Sequence, residues 1–307
     1  MIYTCTLSPS LDYYMEFEDD FIPEERNRSA MEYYEAGGKG INVSIVLNNM
    51  MIPTRALGFL GGFTKDFYIS LLQRYEYIQP SFVYIEGHTR INVKLGGKTN
   101  TQINAAGPHI THQSMQKLLK KMDSIYDDDF FIFSGFMPEY LEDQVVDMLK
   151  DLIDEEVNVV LDTNASLIRR MIPHHPYLIK FDEETLEAVY GQEADTREEM
   201  IALGKRCVEE GAQNVLIQIG SMGSFFISDL GVYYSNTDQS EVIVNAIGTG
   251  DAMVAGFVMN AQRSMDRLES FRFANCCKDA TYFSKGLATR EKVNEVYNHV
   301  QIVTVED

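Results

Sequence analysis

Residues 245–257 read NAIGTGDAMVAGF, which places Gly248, Thr249, Gly250 and Asp251 directly before an apolar run rich in Ala and Gly. A turn of this kind leaves backbone N–H groups free at a helix N-terminus, where partial positive charge collects. That is a ready anion site with an acid beside it. Asp is also an ordinary helix cap, but a plain cap does not need two flanking glycines, whose conformational freedom is costly to fix. A second stretch, AGGKGINVS at residues 36–44, sets Gly37, Gly38 and Gly40 around Lys39 and leads into another helix. There a backbone able to approach a ligand closely carries one cation, with Asn42 directed at the same cleft. Neither stretch is a familiar nucleotide motif. G-x-G-x-x-G fails at Met253, and the Gly38-Lys39 and Gly97-Lys98 pairs lack the upstream Gly of a P-loop.

The elements that must position these residues follow an alternating pattern. The runs YTCTL, RALGFLG, FVYI, FFIFSG, VNVVLD, YLIK and NVLIQIG have strand character. Helical patterns follow Gly40, run from about Lys65 to Tyr75, cover EDQVVDMLKDLIDEE, and span Glu198 to Glu210. Strands alternating with helices predict an α/β fold with a mostly parallel sheet covered on both faces. NVVLD suits a strand at its centre. Residues 11–19, 28–36, 90–95 and 99–104 break the rhythm as extended segments, the last pair joined by the hairpin signal GGK. They predict a small β-sheet lid, formed by about 11–36 and 88–106, inserted into a single domain spanning 1–307.

Composition narrows the partners. With 46 acidic and 26 basic residues the chain carries a formal net charge of −20, which argues against a nucleic-acid partner. An anionic ligand would need cations gathered locally against that field. Arg90 and Lys94 in RINVKL lie four residues apart, on one face of an extended strand. No run approaches the ~18 apolar residues of a membrane span, and the first residues lack a basic, signal-like n-region, so a soluble, cytoplasmic protein is expected. Cys5, Cys207, Cys276 and Cys277 have no C-x-x-C spacing, and the adjacent pair reads as core in a reducing compartment. The six histidines show no metal-ligand spacing, His174-His175 reading as loop, and no metal ligand is assigned. Asp127, Asp128 and Asp129 read as a solvated entrance to FFIF.

Taken together, TLSPSLD, GGKGINVS, ALGFLGGFT, TRINVKL, FSGFMP, VVLDTN, LIKFDEETLEAVYG, IGTGDAMVAGF and GLATREKV resemble the ribokinase-type, or phosphofructokinase B, family of sugar kinases over essentially the whole chain. The resemblance implies a ribokinase-like α/β core with a β lid, and phosphoryl transfer from ATP, with Mg2+, to a phosphorylated ketohexose. TRINVKL points to fructose 1-phosphate, converted to fructose 1,6-bisphosphate, more than to tagatose 6-phosphate or another phosphosugar. By the same resemblance Asp251 is the catalytic base, and the amides of Gly248, Thr249, Gly250 and Asp251 form the anion hole. Asp12 would bond sugar hydroxyls, Gly38 and Asn42 would meet the sugar, and Lys39 and Arg90 would bind its phosphate, with Lys94 beside them.

On the nucleotide side Lys180, Asp182, Gln218, Gly220, Gly223 and Asn275 are the matching positions. Here the family's Lys-Pro-Asn followed by Glu is replaced by Lys180-Phe181-Asp182-Glu183-Glu184-Thr185. The change predicts altered Mg-ATP handling and motivates a rival reading as a non-catalytic sugar-phosphate sensor. Lids in this family often pair, so the resemblance allows a homodimer through the β lid.

Overall fold

The computed structural model describes residues 1–19, 21–97, 101–238 and 240–305. The chain begins with β1 (Ile2–Thr6), β2 (Ser10–Glu16), β3 (Met31–Gly37), α1 (Lys39–Asn49), β4 (Thr54–Gly61), α2 (Gly62–Leu72), β5 (Ile78–Pro80) and β6 (Val83–Ile85). It continues through β7 (Arg90–Gly96), β8 (Thr101–Ile103), α3 (His112–Met122), β9 (Phe130–Gly135), α4 (Glu142–Asp154), β10 (Asn158–Thr163), α5 (Ala165–Met171) and β11 (Leu178–Asp182). The last part comprises α6 (Glu183–Tyr190), α7 (Arg197–Glu209), β12 (Asn214–Ile219), β13 (Gly223–Ser228), β14 (Gly231–Asn236), α8 (Thr249–Ser264), α9 (Arg267–Tyr282), α10 (Arg290–Val296) and β15 (Val303–Thr304).

The large sheet has the order β15-β14-β13-β12-β11-β10-β9-β1-β4-β5, with β6 also paired to β4. From β5 to β12 neighbouring strands are parallel. The β13, β14 and β15 edge is antiparallel, an edge the strand–helix rhythm does not announce. Its strands, GSFFIS and GVYYSN, are joined by a two-residue turn at Asp229 and Leu230, so no crossover helix separates them. Helix α2 also begins earlier than its pattern suggests. The Gly61–Gly62 pair turns the chain directly out of β4, Gly62 taking a φ of 60°, and Thr64 Oγ1 donates to the carbonyls of Gly61 and Thr89. At its other end Arg74 N and Tyr75 N continue as i→i−3 bonds to Leu71 and Leu72.

Strand parity decides what each face of the sheet carries. Tyr3, Cys5, Phe131, Phe133, Val159, Leu161, Ile179 and Phe181 enter one buried layer. Ile2, Phe130, Ile132, Val160, Leu178, Leu216 and Phe226 enter the other, with α8 and α9. Side chains alternate along a strand, so the second face continues toward the strand C-termini as Thr4, Thr6, Ser134, Asp162, Lys180 and Gln218, all buried. A hydrocarbon layer thus gives way to a polar row within the length of one strand. In open α/β sheets this carboxyl edge is where ligands bind.

Helix α8 is apolar around its whole circumference, with Ala252 through Phe257 all buried, as expected of a helix enclosed on every side. Gly256 permits its approach to α9: a Cβ there would stand 2.3 Å from the Phe273 carbonyl oxygen. All four cysteines are free and buried. Cys5 and Cys207 lie in the first layer, Cys276 and Cys277 in the second. Burial pushes the thiols of Cys5, Cys207 and Cys277 up to about 12. Among the described residues no helix is long and apolar enough to cross a membrane.

A second sheet has the order β3-β2-β7-β8. Strand β2 pairs antiparallel with β3 and parallel with β7, aligning Asp12 with Glu35 and Asn92, and Tyr14 with Tyr33 and Lys94. The rings of Tyr14 and Tyr33 stack 4.6 Å apart, a cross-strand aromatic pair of the kind that stabilises two-stranded contacts. Strands β7 and β8 form the expected antiparallel pair; Lys98 of the GGK turn, with the following Thr99 and Asn100, lies outside the described residues.

The close α8–α9 contact generates a stability prediction. Gly256→Ala forces the two helices apart and lowers the unfolding free energy by about 1–3 kcal/mol. Urea denaturation should show a lower midpoint at unchanged slope, and a midpoint equal to that of the parent chain would refute the close-packing role.

Candidate active site

Gly248 caps α8 with a φ of 77°, a left-handed conformation that side chains rarely tolerate. A Cβ at Gly248 would also stand 2.5 Å from Leu287 Cδ2. No side chain caps this turn, so the first-turn amides that lack intrahelical acceptors stay open to a ligand. The turn is braced from behind. Gln218 Nε2 donates to Thr249 Oγ1 and to the Tyr282 hydroxyl, both at 3.1 Å. Tyr282 in turn donates to the Gly220 carbonyl at 2.7 Å.

Asp251 projects from the first turn of α8 and is 5% exposed. Asn42 Nδ2 donates to its Oδ2 at 2.7 Å. Asn42 is carried by α1, which starts at the strained Gly38 (φ 130°) and is fixed by the bond from Gly40 N to Thr6 Oγ1. Lys39, beside it, pairs with Asp162 Oδ1 at 2.9 Å. Lys180 approaches from β11: a Cβ on Gly250 would come within 2.7 Å of its Nζ. Gly250 therefore makes room for a buried ammonium beneath the turn, and no described residue hydrogen-bonds that ammonium.

Two ammonium groups thus share the end of the sheet with three carboxylates, those of Asp162, Asp182 and Asp251. Burial and the neighbouring Asp162 push the Asp251 carboxyl up to about 6, against the opposing pull of Lys39, Asn42 and Lys180. Burial opposes charge on Asp162 as well, but Lys39 and Lys180 outweigh it and hold that carboxyl below its usual range. Asp162 stabilises the Lys39 ammonium in return and moves it upward. A carboxyl raised toward neutrality is suited to general-base chemistry.

Next to Asn42 opens a cavity of about 470 Å3, within the range of small-ligand sites. The lid contributes Asp12, Tyr14, Glu16, Tyr33, Glu35 and Lys94 to its wall, and Arg74, Lys285 and Leu287 also line it. Asp12 Oδ1 is oriented by Ser10 Oγ at 2.7 Å and Asn92 Nδ2 at 2.9 Å.

The remaining expected residues have partners of their own. Arg90 donates to the carbonyls of Ser8 and Ala105 at 3.1 and 3.3 Å and lines a separate concavity with Phe63 and His88. Asn275 is fully buried in α9; its Oδ1 accepts from Ser224 and Lys278, and its Nδ2 donates to the Phe271 carbonyl. Gly223 belongs to β13, where a Cβ would meet the Ser235 carbonyl oxygen at 2.4 Å. Gly220 lies in the turn after β12 with a φ of 41°. Asp182 caps α6, its Oδ1 accepting from Thr185 N at 2.9 Å. Burial opposes its charge, but the Thr185 bond and Lys180 lower its carboxyl. Asp162 was not singled out from the sequence; the signal was available in an acid closing the apolar run NVVLD at the carboxyl end of a parallel strand.

A family model for pfkB family carbohydrate kinases matches residues 7–294. The chain belongs to the pfkB family of carbohydrate kinases. It is similar to the 1-phosphofructokinase of Bacillus subtilis, with 33% identity covering 98% of this chain and 99% of that protein. The D-tagatose-1-phosphate kinase of Bacillus licheniformis is also 33% identical, over 98% of this chain and 99% of its own length. Phosphofructokinase-2 from Escherichia coli, crystallised with substrates and products, superposes with a TM-score of 0.91 over 97% of this chain and 98% of its own, at 19% identity. The architecture is ribokinase-like. The chain is a carbohydrate kinase, and the sensor reading drawn from the KFDEET segment is set aside.

The Asp251–Asn42 bond predicts a pH signature for this kinase. With Asp251 as the proton acceptor, a role that requires its ionised form, the expected outcome is that kcat/KM falls about tenfold per pH unit below about 6. Asn42→Ala removes a bond that favours the ionised form, so the acid limb moves to higher pH. A limb that stays in place in the pH–rate profile would show that another group controls it.

Proposed function

We propose that this kinase transfers the terminal phosphoryl group of ATP to a hydroxyl of a ketohexose 1-phosphate, fructose 1-phosphate being the first acceptor. The observation that carries the reading is the buried Asp251 carboxylate at the open N-terminus of α8, one hydrogen bond from Asn42 and the acceptor cavity. Relatives named for the two sugars match the chain at the same identity, so tagatose 1-phosphate is the rival acceptor. It replaces tagatose 6-phosphate, the alternative suggested by the sequence pattern.

In this reading Asp12, Gly38 and Asn42 hold the sugar so that one hydroxyl faces Asp251. Asp251 takes the hydroxyl proton as the oxygen attacks phosphorus. The amides of Thr249, Gly250 and Asp251, with the positive end of α8, stabilise the charge on the transferred group. Lys180, below Gly250, adds positive charge without touching the acceptor, and Lys39 does the same from α1. Gln218 and Tyr282 fix the turn, a positioning role in place of a direct contact with nucleotide.

A metal ion carried by the nucleotide fits the residues present. Among the described residues no group of three or more His, Cys, Asp or Glu is arranged as a metal cage, whereas Asp162 Oδ2 is buried without a partner. This suits a Mg2+ held mainly by phosphate oxygens and water, with Asp162 as the available protein carboxylate. When bound, Mg-ATP supplies the phosphoryl group and neutralises part of its charge.

Asp251→Asn lowers kcat by about 10²–10⁴-fold while acceptor affinity stays within about twofold, read from turnover and from calorimetry with fructose 1-phosphate. An active variant would remove Asp251 as the base. A turnover panel of fructose and tagatose, each as 1- and 6-phosphate, should favour a 1-phosphate; preference for a 6-phosphate would overturn the acceptor assignment. The reading extends to assembly through the lid, whose strands expose Met31, Tyr34, Ile91 and Ile103. Sedimentation should find a species of twice the chain mass, and a monomer at micromolar concentration would dismiss it.

A further inference from the structure

A helix that covers a sheet ordinarily turns hydrocarbon toward it, with apolar residues at i, i+3, i+4 and i+7. In α9 that spacing falls on Asn275, Lys278, Asp279 and Tyr282, and all four are buried. Burial lowers the Lys278 ammonium while Asp279 raises it. Burial raises the Asp279 carboxyl in turn, against the pull of Lys278 and of the Thr237 hydroxyl. An enclosed ion pair of this kind adds little to stability, because lost hydration offsets the attraction. Neither of its members lines the acceptor cavity.

The four side chains converge on one turn. Residues 219–223 close through the bond from Met222 N to the Ile219 carbonyl at 2.8 Å, and Tyr282 donates to the Gly220 carbonyl at 2.7 Å. Just beyond the turn, Ser224 Oγ donates to Asn275 Oδ1 at 2.7 Å, and Lys278 Nζ donates to the same oxygen at 2.8 Å. Lys278 Nζ also stands 3.4 Å from Asp279 Oδ1. Asp279 meets Thr237, whose backbone N–H donates to the Met222 carbonyl at 3.0 Å. The Tyr282 carbonyl accepts from Val244 N and Asn245 N at 2.7 and 3.1 Å. One helix therefore holds the 219–223 turn from both of its strands, together with the segment that leads into the Gly248 turn.

Phosphoryl transfer runs in line, so donor and acceptor stand on opposite sides of the phosphorus. The acceptor cavity opens on the Asn42 side of the α8 turn. On the other side Gln218 links Thr249 to Tyr282, and the donor extends that way, over the 219–223 turn. We propose that Lys278 and Asp279 are positioning residues for the nucleotide, holding this turn in the shape that receives it. The inference rests on the transfer geometry proposed above and goes beyond it by giving a task to a buried ion pair outside the acceptor site. Lys278 acts through Asn275 on Ser224, and Asp279 acts through Thr237 on Met222.

Calorimetry on the full chain, with Mg-ADP in one titration and fructose 1-phosphate in another, tests the assignment. Lys278→Met combined with Asp279→Asn leaves no charge unpaired, so the urea midpoint should stay near that of the parent chain. Mg-ADP binding and the KM for Mg-ATP should weaken about tenfold or more, while fructose 1-phosphate affinity stays within about twofold. Ser224→Ala removes a single hydroxyl and leaves Asn275 bonded to Lys278; it should weaken Mg-ADP binding about threefold. That variant decides the question if the double one fails to fold. Unchanged Mg-ADP affinity in the folded double variant, or in Ser224→Ala where only that chain folds, would overturn the proposal. Equal losses for Mg-ADP and fructose 1-phosphate would overturn it too, by showing a general structural role. Failure of the parent chain to bind Mg-ADP would instead strike the transfer reading, and this inference with it.

Discussion

The structure depends on keeping one carboxylate ionisable inside a protein of net charge −20. Asp251 is enclosed, and enclosure alone favours its neutral form. Three neighbours oppose that tendency: an amide from α1, and ammonium groups from α1 and β11. They reach the N-terminus of α8 from two other parts of the chain, and that requirement explains where Gly40 and Gly250 are placed. Gly40 cannot carry a Cβ because Thr6 Oγ1 would be 2.6 Å away, and Gly250 cannot because of Lys180. These two glycines answer to proximity, whereas Gly38 and Gly248 at the same turns answer to a positive φ. A sheet edge lined with Thr, Ser, Asp, Lys and Gln is the other half of the same constraint, because it supplies partners for helix ends that would otherwise be buried unsatisfied.

Much of this was legible in the residues. The parallel strands and their helices follow from apolar runs separated by amphipathic ones, and GTGD and GGKG are recognisable because a backbone that closely approaches a partner leaves no choice of residue. The antiparallel edge was not legible: GSFFIS and GVYYSN resemble other buried strands, and only the two-residue turn between them excludes a crossover. Asp162 was overlooked because a single acid after NVVLD looks like a strand ending until Lys39 is found beside it. Arg74 and Lys285 carry no pattern at all. They are surface bases in the sequence and become members of a cavity wall only when α2 and the α9–α10 segment come together.

The KFDEET segment shows how a departure from a family pattern can be absorbed. Asp182 replaces an amide with a carboxylate, yet its oxygen accepts the Thr185 N–H as an N-cap normally does. The acidic Glu183 and Glu184 then fall in the first turn of α6, where the helix dipole tolerates negative charge. Asp182 serves as a local cap, and the ammonium of Lys180, two residues earlier, lies beneath Gly250. Gln218 has a comparable history: its amide braces Thr249 and Tyr282, so polarity at this position serves the shape of the loop.

The placement of the four cysteines has an experimental use beyond catalysis. Two thiols lie in each hydrophobic layer, on opposite sides of the large sheet, and burial keeps them in their unreactive protonated form. A maleimide added to the folded chain therefore meets no nucleophile until a layer opens. The identity of the first labelled cysteine then reports which side of the sheet breathes, and the rate at which label accumulates serves as a clock for that opening.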